Sequence, residues 1–226
     1  LKSGQDHADI GNKLIGHFNF ERKVGDPGTG NGYGYVSSGH NSVYIDPDTN
    51  EQFLVFHTRF PNRGEAHELR IHQMFMTEDD WPVVAPSRYS RETLEKIEFS
   101  KVIGEYRYVN HEKDNSNTIK AAQTISLNED GTITGAVSGE WELVNEYEAI
   151  LTIDDNRFTG VFIEQWNEVT QSVQPAFTAV SNEGKSVWGI KDFERTDKEI
   201  VETIKNELTI GQITGVIADL QLPTNG

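Results

Sequence analysis

The sequence predicts an all-β protein in two parts, a propeller-type blade followed by a small antiparallel barrel, with a short helical C-terminal tail. Three observations predict it. Residues 41–85 hold four strand-like runs in succession, the second of them apolar on both faces. Residues 104–190 hold eight short alternating runs separated by turns rich in Asn, Asp and Gly. A helical signal appears only from Thr196 onward.

The first part, residues 1–92, holds six of the seven histidines and five of the seven prolines. Gly25 to Gly34 reads as a long loop. Strands are then expected at Asn41–Asp46, Phe53–Phe56, Glu68–Met76 and Trp81–Ala85. The turn Asp46-Pro47-Asp48-Thr49-Asn50 has its own chemistry: proline presets φ, and Asp and Asn side chains bond nearby backbone. Phe53-Leu54-Val55-Phe56 implies a strand covered on both sides. Pro82 and Pro86 mark the fourth strand as an edge, because proline cannot donate to a ladder. Four strands in a meander with a doubly buried member fit a blade whose faces stack on neighbouring blades.

The second part, residues 93–195, has proline only at Pro175. Strands are expected near Gly104–Tyr108, Ala122–Leu127, Thr132–Val137, Gly139–Leu143, Ala149–Ile153, Phe158–Gln165, Ala176–Val180 and Ser186–Ile190. Asn128 to Gly131, Asp154 to Asn156 and Asn182 to Lys185 supply turn residues at hairpin positions. Eight short strands at this spacing suggest a closed barrel or a sandwich. The third part, residues 196–226, opens with the capping box Thr196-Asp197-Lys198-Glu199. Ile200, Ile204 and Leu208 follow on one helical face.

Composition narrows the partners. A formal net charge of −16 over 226 residues repels phosphate backbones and anionic lipid, which argues against nucleic acid and favours neutral ligands such as polysaccharides. Mean hydropathy is −0.56, and no apolar run approaches the ~18 residues of a membrane span. The absence of cysteine excludes disulfides and thiolate metal sites. Leu1-Lys2-Ser3-Gly4 reads as a cut through a longer protein, with no signal segment after it.

Several motifs carry chemistry on paper. Gly28, Gly30, Gly32 and Gly34 lack the spacing of a dinucleotide fingerprint and read as loop. His67-Glu68-Leu69-Arg70-Ile71-His72 sets its histidines five apart, not the four a zinc-protease helix needs; on a strand they face opposite sides. Glu78-Asp79-Asp80 and Asp154-Asp155 fall in turns, where acids bond local backbone. Trp81, Trp141, Trp166 and Trp188 serve either as core or as sugar platforms, and core packing is the commoner use. His40 stands where a glycine-rich loop enters a strand, and a single histidine there reads first as packed or hydrogen-bonded.

The run Gly32-Tyr33-Gly34-Tyr35-Val36-Ser37-Ser38-Gly39-His40-Asn41-Ser42-Val43-Tyr44 is followed by Phe53-Leu54-Val55-Phe56-His57-Thr58-Arg59-Phe60-Pro61. His72-Gln73-Met74-Phe75-Met76 and Trp81-Pro82-Val83-Val84-Ala85-Pro86 come next. Together they resemble the end of the catalytic domain of glycoside hydrolase family 43 endo-arabinanases. The resemblance implies closing blades of a five-bladed β-propeller over residues 1–92 and the β-barrel domain of the extracellular members over 93–195. It also implies a linker helix and the start of an immunoglobulin-like module over 196–226. The implied activity is inverting hydrolysis of internal α-1,5 bonds of arabinan in a secreted protein. The family's three catalytic carboxylates lie upstream of the matched region, so none is assigned here, and no substrate-binding residue is assigned either. His40, in Gly-His-Asn-Ser, corresponds to the family's metal ligand, which implies one calcium ion at the propeller centre. The implied partners are arabinan or arabino-oligosaccharide and the N-terminal propeller portion of the same protein. A non-catalytic carbohydrate-binding or calycin-like ligand-binding fragment is the alternative, and a structural spacer is a third.

Overall fold

The computed structural model describes residues 11–27 and 30–193, together with Val201. Strands β1 (Phe18–Glu21), β2 (Gly32–Ile45), β3 (Gln52–Arg59), β4 (Glu68–Met76) and β5 (Pro82–Val84) come first. A short helix α1 (Phe99–Val102) precedes β6 (Gly104–Asn110), β7 (Lys120–Ala121), β8 (Gln123–Leu127) and β9 (Thr132–Gly135). Then come β10 (Gly139–Val144), β11 (Glu148–Ile153), β12 (Asn156–Asn167), β13 (Ser172–Ser181) and β14 (Ser186–Lys191). The capping box and helical face expected from Thr196 lie outside the described residues.

The four expected strands of the first part form an antiparallel meander, β2 to β5, inside a six-stranded sheet ordered β5-β4-β3-β2-β1-β7. The turn at Asp46 forms as its chemistry predicts: the Asp46 carboxylate accepts from the Asp48 and Thr49 amides at 2.9 and 3.1 Å. The glycine-rich loop stops earlier than the sequence suggests, and Gly32 and Gly34 lie inside β2. A Cβ there would stand 2.1 Å from the Phe20 carbonyl and 2.4 Å from that of Phe18. These glycines let β1 and β2 approach closely.

The eight expected strands of the second part close into a barrel, β6-β8-β9-β10-β11-β12-β13-β14 and back to β6, with antiparallel neighbours throughout. Asp154 and Asp155, with φ of 47° and 63°, make the two-residue turn between β11 and β12. Two positive φ values in a row match the twist of the flanking strands. The interior is filled: Tyr106, Leu127, Trp141, Leu151, Phe162 and Phe177 belong to one buried cluster. Gly189 is needed there, since a Cβ would meet the Phe177 ring at 2.1 Å.

A second core joins sheet to barrel. Leu54, Phe56 and Met74 on one face of the sheet pack with Val161, Ile163 and Trp188 of the barrel's outer face. Trp188 lies near-parallel to the His72 ring and edge-on to Phe18 and His111. Beside it, Tyr33 donates to the Tyr35 hydroxyl at 2.7 Å, and Tyr35 lies 3.0 Å from His72 Nε2. His72 Nδ1 is 2.7 Å from the Ala85 carbonyl. A carbonyl only accepts, so Nδ1 carries the proton and Nε2 accepts from Tyr35.

Burial pushes His72 down to about 4, and burial with nearby Lys13 and Lys120 pushes His111 down to about 3. Both values lie below the ordinary 6.5, so the unfolded chain binds these protons more tightly. The stability tied to neutral imidazoles is complete above about pH 6.5 and is lost as pH falls toward 4 for His72 and toward 3 for His111, at about 1.4 kcal/mol per pH unit for each histidine. Denaturant titrations at pH 7 and pH 5, before most carboxylates titrate, should show this fall. Equal stability at the two values would contradict the burial of both rings.

Candidate functional site

The Gly39-His40-Asn41-Ser42 motif sits in the most irregular stretch of the sheet. Val36, Gly39 and Ser42 of β2 stand opposite Arg59, His57 and Val55 of β3, so β2 twice spends three residues where β3 spends two. Each excess residue is a bulge, a device that re-aims side chains near functional sites. Ser37 and His40 have φ of 54° and 49°, left-handed values uncommon outside glycine. Side chains brace this backbone. Arg59 donates to the Ser37 hydroxyl at 2.7 Å, and the Thr58 hydroxyl lies 3.0 Å from that of Ser38 and 3.1 Å from the Val36 carbonyl.

The bulges present His40 to solvent. Its ring stands edge-on to His57 at 5.4 Å, and His57 stands edge-on to His67 at 5.0 Å. Three imidazoles therefore form a row across β2, β3 and the residue just before β4. They do not converge: among the described residues no three His, Asp or Glu side chains are grouped to hold a metal. A hard cation such as calcium prefers six to eight oxygens. The exposed imidazole of His40 offers such an ion one nitrogen, and the described residues beside it supply no set of oxygen ligands.

The other sequence candidates resolve into structural roles. His72 is buried in the joint and His67 is exposed, as strand alternation requires. Asp79 accepts from the Thr159 hydroxyl at 3.2 Å and Glu78 pairs with Arg157 at 3.2 Å, so that acidic turn clasps the barrel. Trp141 and Trp188 are core, whereas Trp81 and Trp166 are exposed. The sequence reading missed a buried ion triad. Arg107 on β6 bonds both oxygens of Asp26 at 2.7 and 2.8 Å and Asp192 at 2.9 Å. It also missed the face of the sheet turned away from the barrel, where Tyr44, Leu69 and Ile71 are exposed, Leu69 by 64%.

A closed eight-stranded antiparallel barrel packed against a bulged, histidine-containing sheet defines a β-barrel module attached to a second β structure. Residues 86–189 match the GH43_C family of C-terminal lipocalin-like domains. The chain is 44% identical over 187 residues to an extracellular endo-α-(1→5)-L-arabinanase of Thermotoga petrophila, covering 81% of this chain and 39% of that protein. It is 42% identical over 181 residues to extracellular endo-α-(1→5)-L-arabinanase 2 of Bacillus subtilis, covering 80% of this chain and 38% of the relative. The chain thus spans about two fifths of the curated relatives it matches, and the likeness extends beyond the barrel into the sheet. Among solved structures, the family 43 glycoside hydrolase YxiA of Bacillus licheniformis superposes with a TM-score of 0.78 at 42% identity, over 85% of this chain and 43% of that one. The endo-1,5-α-L-arabinanase of Thermotoga petrophila gives 0.77 at 43%, over 82% and 42%.

Proposed function

We propose that this chain is the C-terminal part of an extracellular family 43 endo-arabinanase that hydrolyses internal α-1,5 bonds of arabinan. The observation that carries the reading is the likeness to two such enzymes, which spans both the sheet and the barrel. The β2–β5 meander is then a blade of a β-propeller, and its exposed Tyr44–Leu69–Ile71 face is where a neighbouring blade packs. An apolar face of this kind is what stacked blades bury. The acid pairs placed here serve turns, so the reacting carboxylates belong to the remainder of the propeller. His40 is the residue that holds the central cation, calcium, through its imidazole. When bound, the ion supplies positive charge that favours ionised carboxylates nearby.

Two measurements test this. The purified 226-residue chain should release no arabino-oligosaccharides from arabinan, whereas the full-length parent should release them; turnover by the chain alone, or none by the parent, contradicts the reading. In the parent, His40→Ala should lower bound calcium and greatly reduce turnover while leaving the melting temperature within a few degrees. Full calcium content with unchanged specific activity would remove His40 from the metal role.

A further inference from the structure

We infer that the mouth of the barrel is a carbohydrate-binding surface for a neutral polysaccharide, with the Trp166 indole as its stacking platform. The inference rests on the arabinan reading only for the identity of the sugar. The argument begins with strand length. β12 and β13 pair as far as Asn167 and Ser172, but β14 pairs with β13 only from Ala176. The hairpin therefore overshoots the closed wall. Pro175, which has no amide proton, falls just past the last β13–β14 pair, where none is needed.

Alternation fixes what the overshoot presents. Phe158 and Phe162 of β12 face the barrel core, and Glu164 and Trp166 continue the same side. Val173, directly opposite Trp166, shares that side. Beyond the core these residues are open: Trp166 is 41% and Val173 59% exposed. The segment Ser90–Ile97 forms the facing wall of a cleft of about 250 Å³. Buried bonds fix that wall. Gln165 accepts from the Ser87 amide at 3.0 Å and donates to Glu92 at 3.3 Å, and Glu92 accepts from the Ser90 amide at 2.6 Å. Ile97 at the base is buried in the interior cluster. A ligand therefore lies across the mouth and does not enter the barrel.

The chemistry of the cleft selects the class of ligand. An indole beside a valine offers an apolar face to the C–H side of a sugar ring, and an exposed tryptophan at a barrel mouth is a common ligand position. The rim carries donors and acceptors of both signs, Arg91, Glu95, Lys96 and Glu164, and Glu164 is itself paired with Lys101 at 3.0 Å. No single sign dominates there, while the chain as a whole carries −16. Polyanions are repelled, and hydroxyl-rich neutral chains meet no such barrier. In the parent the site would hold arabinan beside the propeller.

Affinity electrophoresis of the 226-residue chain in gels containing debranched arabinan tests the inference, with polygalacturonate as the anionic control. The chain should be retarded by arabinan and not by polygalacturonate. Trp166→Ala should weaken retardation at least tenfold, Trp166→Tyr should keep part of it, and Trp81→Ala, on the distant β4–β5 turn, should keep all of it. Unaltered melting of each variant guards against misfolding. No retardation of the unsubstituted 226-residue chain by arabinan or by other neutral polysaccharides in the same gels, or full retardation of Trp166→Ala, overturns the inference. If the full-length parent cleaves arabinan while the mouth binds nothing, only this inference falls. If the mouth binds another neutral polysaccharide through Trp166 and the parent does not cleave arabinan, the site stands and the activity reading falls.

Discussion

Replacing Arg107 by alanine should cost about 3–5 kcal/mol of folding stability, the loss typical of breaking a buried ion pair from one side. Arg107 is 2% exposed, and both carboxylates it bonds, Asp26 and Asp192, are buried. Its Nη1 also donates to the Glu21 carbonyl at 3.0 Å. Removing the guanidinium takes the neutralising charge from two buried carboxylates, although Lys23, 2.7 Å from Asp192, offsets part of it and the Lys23 amide still bonds Asp26 at 2.6 Å. For a chain of this size the melting temperature should fall by roughly 10 °C. Combining Arg107→Met with Asp26→Leu should cost less than Arg107→Ala alone, because fewer charges are left unpaired. Denaturant unfolding of the two variants and the unsubstituted chain decides the matter. A loss below 1 kcal/mol for Arg107→Ala would mean that water reaches the triad.

The reason this triad escaped sequence reading also explains what did not. Barrel strands declare themselves locally: alternation runs through Ala149–Ile153, and Asp154-Asp155-Asn156 ends it with turn chemistry. The Asp46 turn is likewise a matter of a few adjacent residues. Arg107, by contrast, meets Asp26 and Asp192 from 81 and 85 positions away, and no local pattern encodes that meeting. Strand β1 was missed because Phe18-Asn19-Phe20-Glu21 is only four residues long and no turn signal brackets it. Gly32 and Gly34 misled because a glycine chosen for close strand approach looks the same as one chosen for a loop.

The candidate site divides in the same way. The Gly-His-Asn-Ser motif was legible as a sequence signature, but the double bulge that exposes His40 depends on pairing with β3. The row formed with His57 and His67 needs the sheet assembled before it exists. Trp166 and Trp188 have similar strand surroundings in sequence. They differ only in where the barrel wall ends and where the sheet covers it, which makes one a surface platform and the other core.

Trp188→Ala should be the counterpart of the Arg107 substitution on the apolar side of the joint, at about 3–5 kcal/mol. Trp188 is fully buried between the sheet and the barrel's outer wall. Its ring lies 6.3 Å from the His72 ring at 18°, 5.1 Å from Phe18 at 75° and 4.3 Å from His111 at 83°. Among the described residues the indole nitrogen has no partner, so no hydrogen bond to them is lost with the ring, and the cost is transfer and cavity. Trp188→Phe keeps most of the volume and should cost clearly less than alanine. Cavity formation also lets water toward His72 and His111, so the alanine variant should lose some of the acid sensitivity those buried histidines confer. Comparing denaturation of the three proteins at pH 7 and pH 5 measures both effects together. A joint that held its packing through other residues would show less than 1 kcal/mol for the alanine variant and an unchanged pH dependence.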